Sequence, residues 1–207
     1  VEGEPDDPAT VGDADGLDGH ARGGRVRGDL PVGRQAVDLL DQLGCGGQAL
    51  LEFHAKMNAI DDGIISMSHT ALERLETDFD ALVIGNNGQD FCVGANIFMI
   101  GVTAGQGMWD QVDEMIKALQ TATYNFRPAP KPVVTAPHQR VLGGGVEMTM
   151  AGWTAVADHE TYMGLVEVGV GLIPAGGGCK ELIRRKINPV MKTANADVLP
   201  VMQDVFQ

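Results

Sequence analysis

No apolar run in this chain approaches the roughly 18 residues that a membrane-spanning helix requires, so no such helix is expected. Basic residues are also in short supply: 15 Lys and Arg face 28 Asp and Glu, a net charge of −13. Such an acidic surface repels phosphates, so neither nucleic acid nor an anionic membrane is expected as a partner. Cysteine is limited to Cys45, Cys92 and Cys179, an odd number set far apart, which argues against a disulfide framework or a zinc knuckle. The N-terminus lacks the basic flank and apolar core of a signal peptide. A cytoplasmic, reducing location is the expectation. His54, His69, His138 and His159 show no HExxH or comparable metal spacing, so no metal is predicted. Gly101 to Gly107 does not form GxGxxG after a strand, and no Walker-type GxxxxGK[ST] occurs. Cys92 has no base within a known local signature and is not read as a nucleophile.

What is present suits one domain with a sizeable core, since 44% of the 207 residues are hydrophobic. The chain changes character near residue 48. Residues 1–47 hold eleven of the 28 glycines, and their four arginines against ten acids leave a local charge of −6. Such a low-complexity Gly/Asp-rich segment buries too little surface to offset its ordering entropy, so it is expected to be disordered. His20 to Gly28 superficially resembles an RNA-binding glycine–arginine stretch, but the local negative charge argues for a solvated tail. Ala36–Leu43 reads as a short helix ending at Gly44.

From residue 48 to 207 strand and helix patterns alternate. Ala49–His54 reads as a strand, followed by a helix capped by Asp61 or Asp62 and carrying Ile64, Met67, Ala71 and Leu75 on one face. Ala81–Ile84 and Pro132–Ala136 read as buried strands. Met108 to about Phe126 repeats the helical period through Val112, Met115 and Leu119. Val146–Ala151 reads as a helix, Thr154–Ala157 and Thr161–Met163 as strand-like pieces, and Gly176–Gly178 opens a last helix through Ile183. An α/β layered fold is expected.

Two glycine-rich turns follow buried strands: Phe91-Cys92-Val93-Gly94-Ala95-Asn96 and Leu142-Gly143-Gly144-Gly145-Val146-Glu147. A strand that ends in such a turn and starts a helix directs unpaired N–H groups at one spot. Three consecutive glycines alone are as readily a packing turn. Paired with the second turn, they suggest two N–H donors that bracket one carbonyl oxygen. Glu147 falls on the first turn of its helix, where a carboxylate often only complements the dipole. Glu167 sits among Met163, Leu165, Val166, Val168 and Val170, an apolar setting that raises a carboxylate pKa and suits proton transfer. A structural partner among Arg184, Arg185 and Lys186 is the alternative.

These motifs resemble the crotonase, or enoyl-CoA hydratase, superfamily. The two glycine turns look like its oxyanion turns, and Glu167 sits where the family has its second catalytic glutamate. Glu160 to Pro174, followed by Ala175-Gly176-Gly177-Gly178-Cys179-Lys180-Glu181, is similar to one branch in particular. That branch is the crotonase portion of bacterial fusion proteins that also carry a 3-hydroxyacyl-CoA dehydrogenase. Phe53 to Ile60 resembles the CoA-contacting segment. The sequence departs from the family at Asn96, where most members have Asp, and residues 1–47 do not resemble the family's N-terminal strands. It also stops at Gln207, where the family continues into C-terminal helices.

The resemblance implies a crotonase-like spiral of repeated ββα units over 48–207 with its C-terminal helices incomplete. It implies an enoyl-CoA substrate, hydration to a 3-hydroxyacyl-CoA in fatty-acid β-oxidation, and no cofactor beyond the CoA of the substrate. Backbone N–H groups of Ala95 and Gly144 would form the oxyanion hole, with Glu147 and Glu167 as acid–base pair. Lys56, Asn58, Ala59, Gly94, Asn96 and Gly143 would contact substrate or CoA. A trimer-type homo-oligomer is implied for the complete domain. Enoyl-CoA isomerisation and a non-catalytic acyl-CoA-binding fragment are the alternatives; a hydrolase or dehalogenase would need a nucleophile or base that the sequence does not identify.

Overall fold

The structure, a computed structural model, describes residues 25–27, 38–41, 47–193 and 197–206. The element order is β1 (Arg25–Arg27), β2 (Asp38–Asp41), β3 (Gln48–Glu52), α1 (Asp62–Thr77), β4 (Ala81–Gly85), α2 (Ile97–Gly105) and α3 (Trp109–Phe126). Then come β5 (Val133–Thr135), β6 (Arg140–Leu142), α4 (Gly144–Ala151), β7 (Thr154–Ala155), β8 (Tyr162–Gly164), α5 (Gly178–Met191) and α6 (Leu199–Phe206). Six strands pair in the order β1-β2-β3-β4-β5-β7. The first two join antiparallel, and β3, β4, β5 and β7 run parallel. A second sheet pairs β6 with β8, also parallel. The α/β expectation holds.

Parallel strands buried on both faces read as unbroken apolar runs, and Leu51, Leu82, Ile84 and Val133 are all fully buried here. Each such side chain contributes about 1.5–3 kcal/mol on leaving water. α1 packs on this sheet because Ile64, Met67, Ala71 and Leu75 recur at helical spacing and are all buried. It starts at Asp61, whose carboxylate accepts the Ile64 N–H at 3.0 Å.

Two expectations change. Asp38–Asp41 is not a helix but a strand, in register with Ala49–Glu52 of β3. The helix expected over Ala36–Leu43 would have only eight residues and little intrinsic stability, and an open sheet edge offers Asp38–Asp41 more hydrogen bonds. With β1 it places two pieces of the 1–47 segment in the sheet; the remaining expectation of disorder there falls outside the described residues apart from Gly47. α2, β6 and α6 were not anticipated.

Candidate active site

The chain leaves β4 at Gly85 and returns as an extended stretch beside β6. Phe91 N–H donates to His138 O at 3.3 Å, Cys92 N–H to Arg140 O at 3.2 Å, and Leu142 N–H to Cys92 O at 2.9 Å. This register sets the turn after Cys92 against the turn after Leu142. Gly94 has φ +100°, and a β-carbon there would lie 2.9 Å from Leu142 O and 3.2 Å from Gly144 N. Only glycine tolerates both the conformation and the approach.

The free donors follow from this geometry. Ile60 N–H binds Gly94 O at 2.8 Å, and Asn96 N–H binds Ile60 O at 3.3 Å. Alternate peptides of an extended chain face opposite sides, so the Ala95 N–H between them points away from Ile60. Gly144 opens α4, where the first N–H groups have no partner within the helix. Neither N–H meets an acceptor among the described residues. The two lie close, since a β-carbon on Gly144 would come within 3.2 Å of Ala95 N.

Glu147 follows one turn later on α4 and is 3% exposed. Its Oε1 accepts the Gly178 N–H at 2.8 Å. Burial raises its pKa above the ordinary value; the Gly178 hydrogen bond opposes this, and the nearby Glu167 carboxylate adds to it. Gly176 packs so tightly against that carboxylate that a β-carbon would collide with it. Glu167 begins a single 3₁₀ turn, Glu167–Val170, and its Oε1 would lie 3.2 Å from a β-carbon on Gly143. Its Oε2 is sealed from solvent with no hydrogen-bond partner among the described residues.

The arginines do not supply that partner: Arg184 and Arg185 turn to Glu181. The apolar neighbours of Glu167 also differ from expectation. Met163, Val166, Val168 and Val170 are all exposed, and Leu165 alone of the five packs on the core.

A cavity of about 570 Å³ brings these parts together, lined by Gly94, Ala95, Asn96, Gly143, Gly144, Glu147 and Glu167. Met57, Ala59, Ile97, Phe98, Ile116, Leu119, Leu172 and Ile173 supply an apolar wall. An apolar chamber with a few convergent polar groups is the usual form of a small-molecule site. Asn96 also caps α2, accepting the Met99 N–H at 3.3 Å.

Lys56 is exposed and does not line the cavity. Asn58 is buried, and its amide donates to Asp90 O at 2.9 Å, which commits it to shaping the turn rather than facing the cavity. Sequence reasoning missed Gly176 and Gly178 as the cradle of Glu147. The signal was there: three glycines before a helix leave N–H groups without partners. Burial pushes the Cys92 thiol up to about 12, so it is no nucleophile at neutral pH.

A family model described as enoyl-CoA hydratase/isomerase matches residues 47–194. The chain is 45% identical over 168 residues to a probable 3-hydroxyacyl-CoA dehydrogenase of Bacillus subtilis (strain 168), covering 78% of this chain and 21% of that protein. A probable enoyl-CoA hydratase of the same organism is 30% identical over 139 residues, 66% of this chain and 53% of the relative. The solved structure of an enoyl-CoA hydratase from Polaromonas sp. JS666 matches with a TM-score of 0.63 at 26% identity. That match covers 69% of this chain and 56% of the other. The chain thus spans 21% and 53% of the lengths of the two relatives.

Proposed function

From the premise that the chain belongs to the enoyl-CoA hydratase/isomerase family and has the crotonase fold, we propose that it adds water reversibly, in syn fashion, to a trans-2-enoyl-CoA. The product is a 3-hydroxyacyl-CoA. One observation carries the reading: two unpaired backbone N–H groups and two carboxylates line a single apolar cavity.

In this mechanism the thioester oxygen sits between the N–H groups of Ala95 and Gly144, which stabilise it as enolate character develops. Glu147 and Glu167 hold a water between them, one removing its proton and the other protonating the α-carbon. Both carboxylates act on the same water, so neither role belongs to one residue in isolation. The acyl chain lies along the apolar wall, excluding bulk water. Gly94, Asn96, Gly143 and Ala59 border the thioester, and Lys56 faces the CoA moiety. No cofactor is needed beyond the CoA of the substrate.

Isomerisation, the alternative within the family, works with a single carboxylate. Glu167 in the cavity wall beside Glu147 favours hydration. The B. subtilis relative named as a 3-hydroxyacyl-CoA dehydrogenase suggests the wider setting. There the hydratase would be one part of a longer protein that goes on to oxidise its own product in fatty-acid β-oxidation. Free thiols at Cys92 and Cys179 fit a reducing, cytoplasmic compartment. Exposed Trp109, Tyr162 and Val168, which lie outside the cavity lining, support assembly into a homo-oligomer, of the trimer type that the family resemblance implies.

The test is the loss of enoyl-thioester absorbance when crotonyl-CoA is mixed with the purified, folded protein. Hydration well above the buffer rate is expected. No hydration, with double-bond migration in a 3-enoyl-CoA, would give the isomerase reading instead.

A further inference from the structure

A second cavity, of about 310 Å³, shares Glu147 and Gly176 with the first and is also lined by Thr123, Arg127, Lys180, Glu181 and Arg184. Four cations surround the buried Glu181 carboxylate. Arg184 approaches to 2.8 Å, Arg127 to 3.4 Å, and Arg185 and Lys180 to 3.6 Å each. The Glu181 carboxylate balances one of them, and Glu147, whose pKa burial raises, is the other carboxyl in the lining. In a chain with only 15 Lys and Arg, this gathering leaves a local surplus of positive charge inside a strongly acidic protein.

The C-terminal end of α4 absorbs part of that surplus. Arg127 and Arg185 donate to the Met150 carbonyl at 2.5 and 2.7 Å, where the helix dipole is negative. Two features are left over. The Arg127 Nε is sealed from solvent and has no acceptor among the described residues. The Lys180 ammonium stays 3.6 Å from Glu181, too long for a direct hydrogen bond, and its other contact is the face of the Tyr124 ring, 5.2 Å from the centroid. Burial lowers the Arg127 pKa, Glu181 opposes this, and the neighbouring Arg184 and Arg185 add to it.

We propose that this cavity is an anion site that takes a phosphate-type oxyanion, free or as a phosphomonoester, on Lys180, Arg127 and Arg184. Guanidinium groups present planar forks of N–H donors that match such oxygens, and an ammonium adds a compact point charge. The site borders Glu147 of the proposed hydration machinery, and its occupancy is read without turnover.

The experiment titrates the whole chain with inorganic phosphate, and separately with glycerol 3-phosphate, at ionic strength held constant with chloride. Calorimetry and the thermal midpoint are followed together. A saturable heat and a rise in midpoint with one or both anions are expected. Lys180→Gln and Arg184→Gln should each weaken the affinity about tenfold, the scale of one charge-assisted hydrogen bond. Lys117→Gln, in an exposed pair on α3, should leave it unchanged. Lys180 is largely exposed, so its variant remains informative if Arg184→Gln fails to fold. Response to phosphate alone assigns a free anion, and response to the ester alone assigns an ester phosphate. If neither anion exceeds chloride, or if Lys180→Gln binds as the parent does, the cluster is a structural clamp and the proposal falls.

Discussion

Arg140 grips Asp90 with two N–H groups, at 2.6 and 2.7 Å, fifty residues along the chain. The pair fastens the extended stretch before Gly94 to the strand before Gly143, and so fixes the distance between the two turns. Arg140 holds the Asp90 carboxyl below the ordinary carboxylate range against the opposing effect of burial. A depressed carboxyl stabilises the fold above its ordinary pKa and loses that contribution as pH falls through the lower folded value. Arg140→Met should therefore lower the thermal midpoint most at neutral pH, with the gap to the parent closing in acid. A gap that is the same at pH 7 and below pH 3 would disconnect the effect from Asp90.

For the proposed hydration, Glu147→Gln and Glu167→Gln should each reduce the rate by about 10²–10⁴-fold, the usual scale for positioned acid–base groups. Thioester affinity should change far less, because the N–H groups of Ala95 and Gly144 stay in place. The double variant should lose less than the product of the singles, since both act on one water. Steady-state kinetics on folded variants decide it; full activity in either single variant removes that residue from the mechanism.

The same Glu147 substitution has an opposite consequence for stability. Its carboxyl is raised in the fold, mainly by burial, so the folded protein holds a proton that the unfolded chain releases. Stability then declines as pH rises from the ordinary value of 4.5 through the folded one. Glu147→Gln, neutral throughout, should be more heat-stable than the parent at pH 7, with the advantage shrinking below pH 4.5. Thermal melts across pH measure this, and a variant that melts lower at pH 7 contradicts it.

Gly145 faces Cys92 at close range: a β-carbon there would sit 2.5 Å from Cys92 O and 2.9 Å from its Cβ. Neither contact is the end of a flexible side chain. Gly145→Ala should cost about 1–3 kcal/mol, as overpacked cores do, and should shift α4 away from the first turn. Denaturant unfolding gives the first number. The loss in hydration should exceed that of Gly101→Ala, whose β-carbon meets nothing within 4 Å.

Much of this was legible because the period survives in long elements. α1 and α3, of 16 and 18 residues, show their buried faces in the spacing of Ile64, Met67, Leu75, Val112 and Leu119. α2 was not legible, since Ile97, Phe98, Met99, Ile100 and Val102 cover every side of a nine-residue helix and leave no amphipathic stripe. β6 has three residues, too few for alternation to register, and its partner β8 lies twenty residues on. Asp38–Asp41 became a strand through pairing with β3, which no local pattern announces. At the site, the glycine turns and both glutamates were visible as motifs. The Asn58 hydrogen bond to the Asp90 carbonyl was not legible because it spans 32 residues, and the Gly178 hold on Glu147 reaches across 31.

That last contact bears on how the molecule assembles. The donors come from residues 95 and 144, but the environment of Glu147 is completed only when the 176–178 turn closes over it. Closure of this kind costs loop entropy before the contact rewards it. A chain interrupted before Gly178 would keep its N–H pair and leave Glu147 as an ordinary, wet carboxylate.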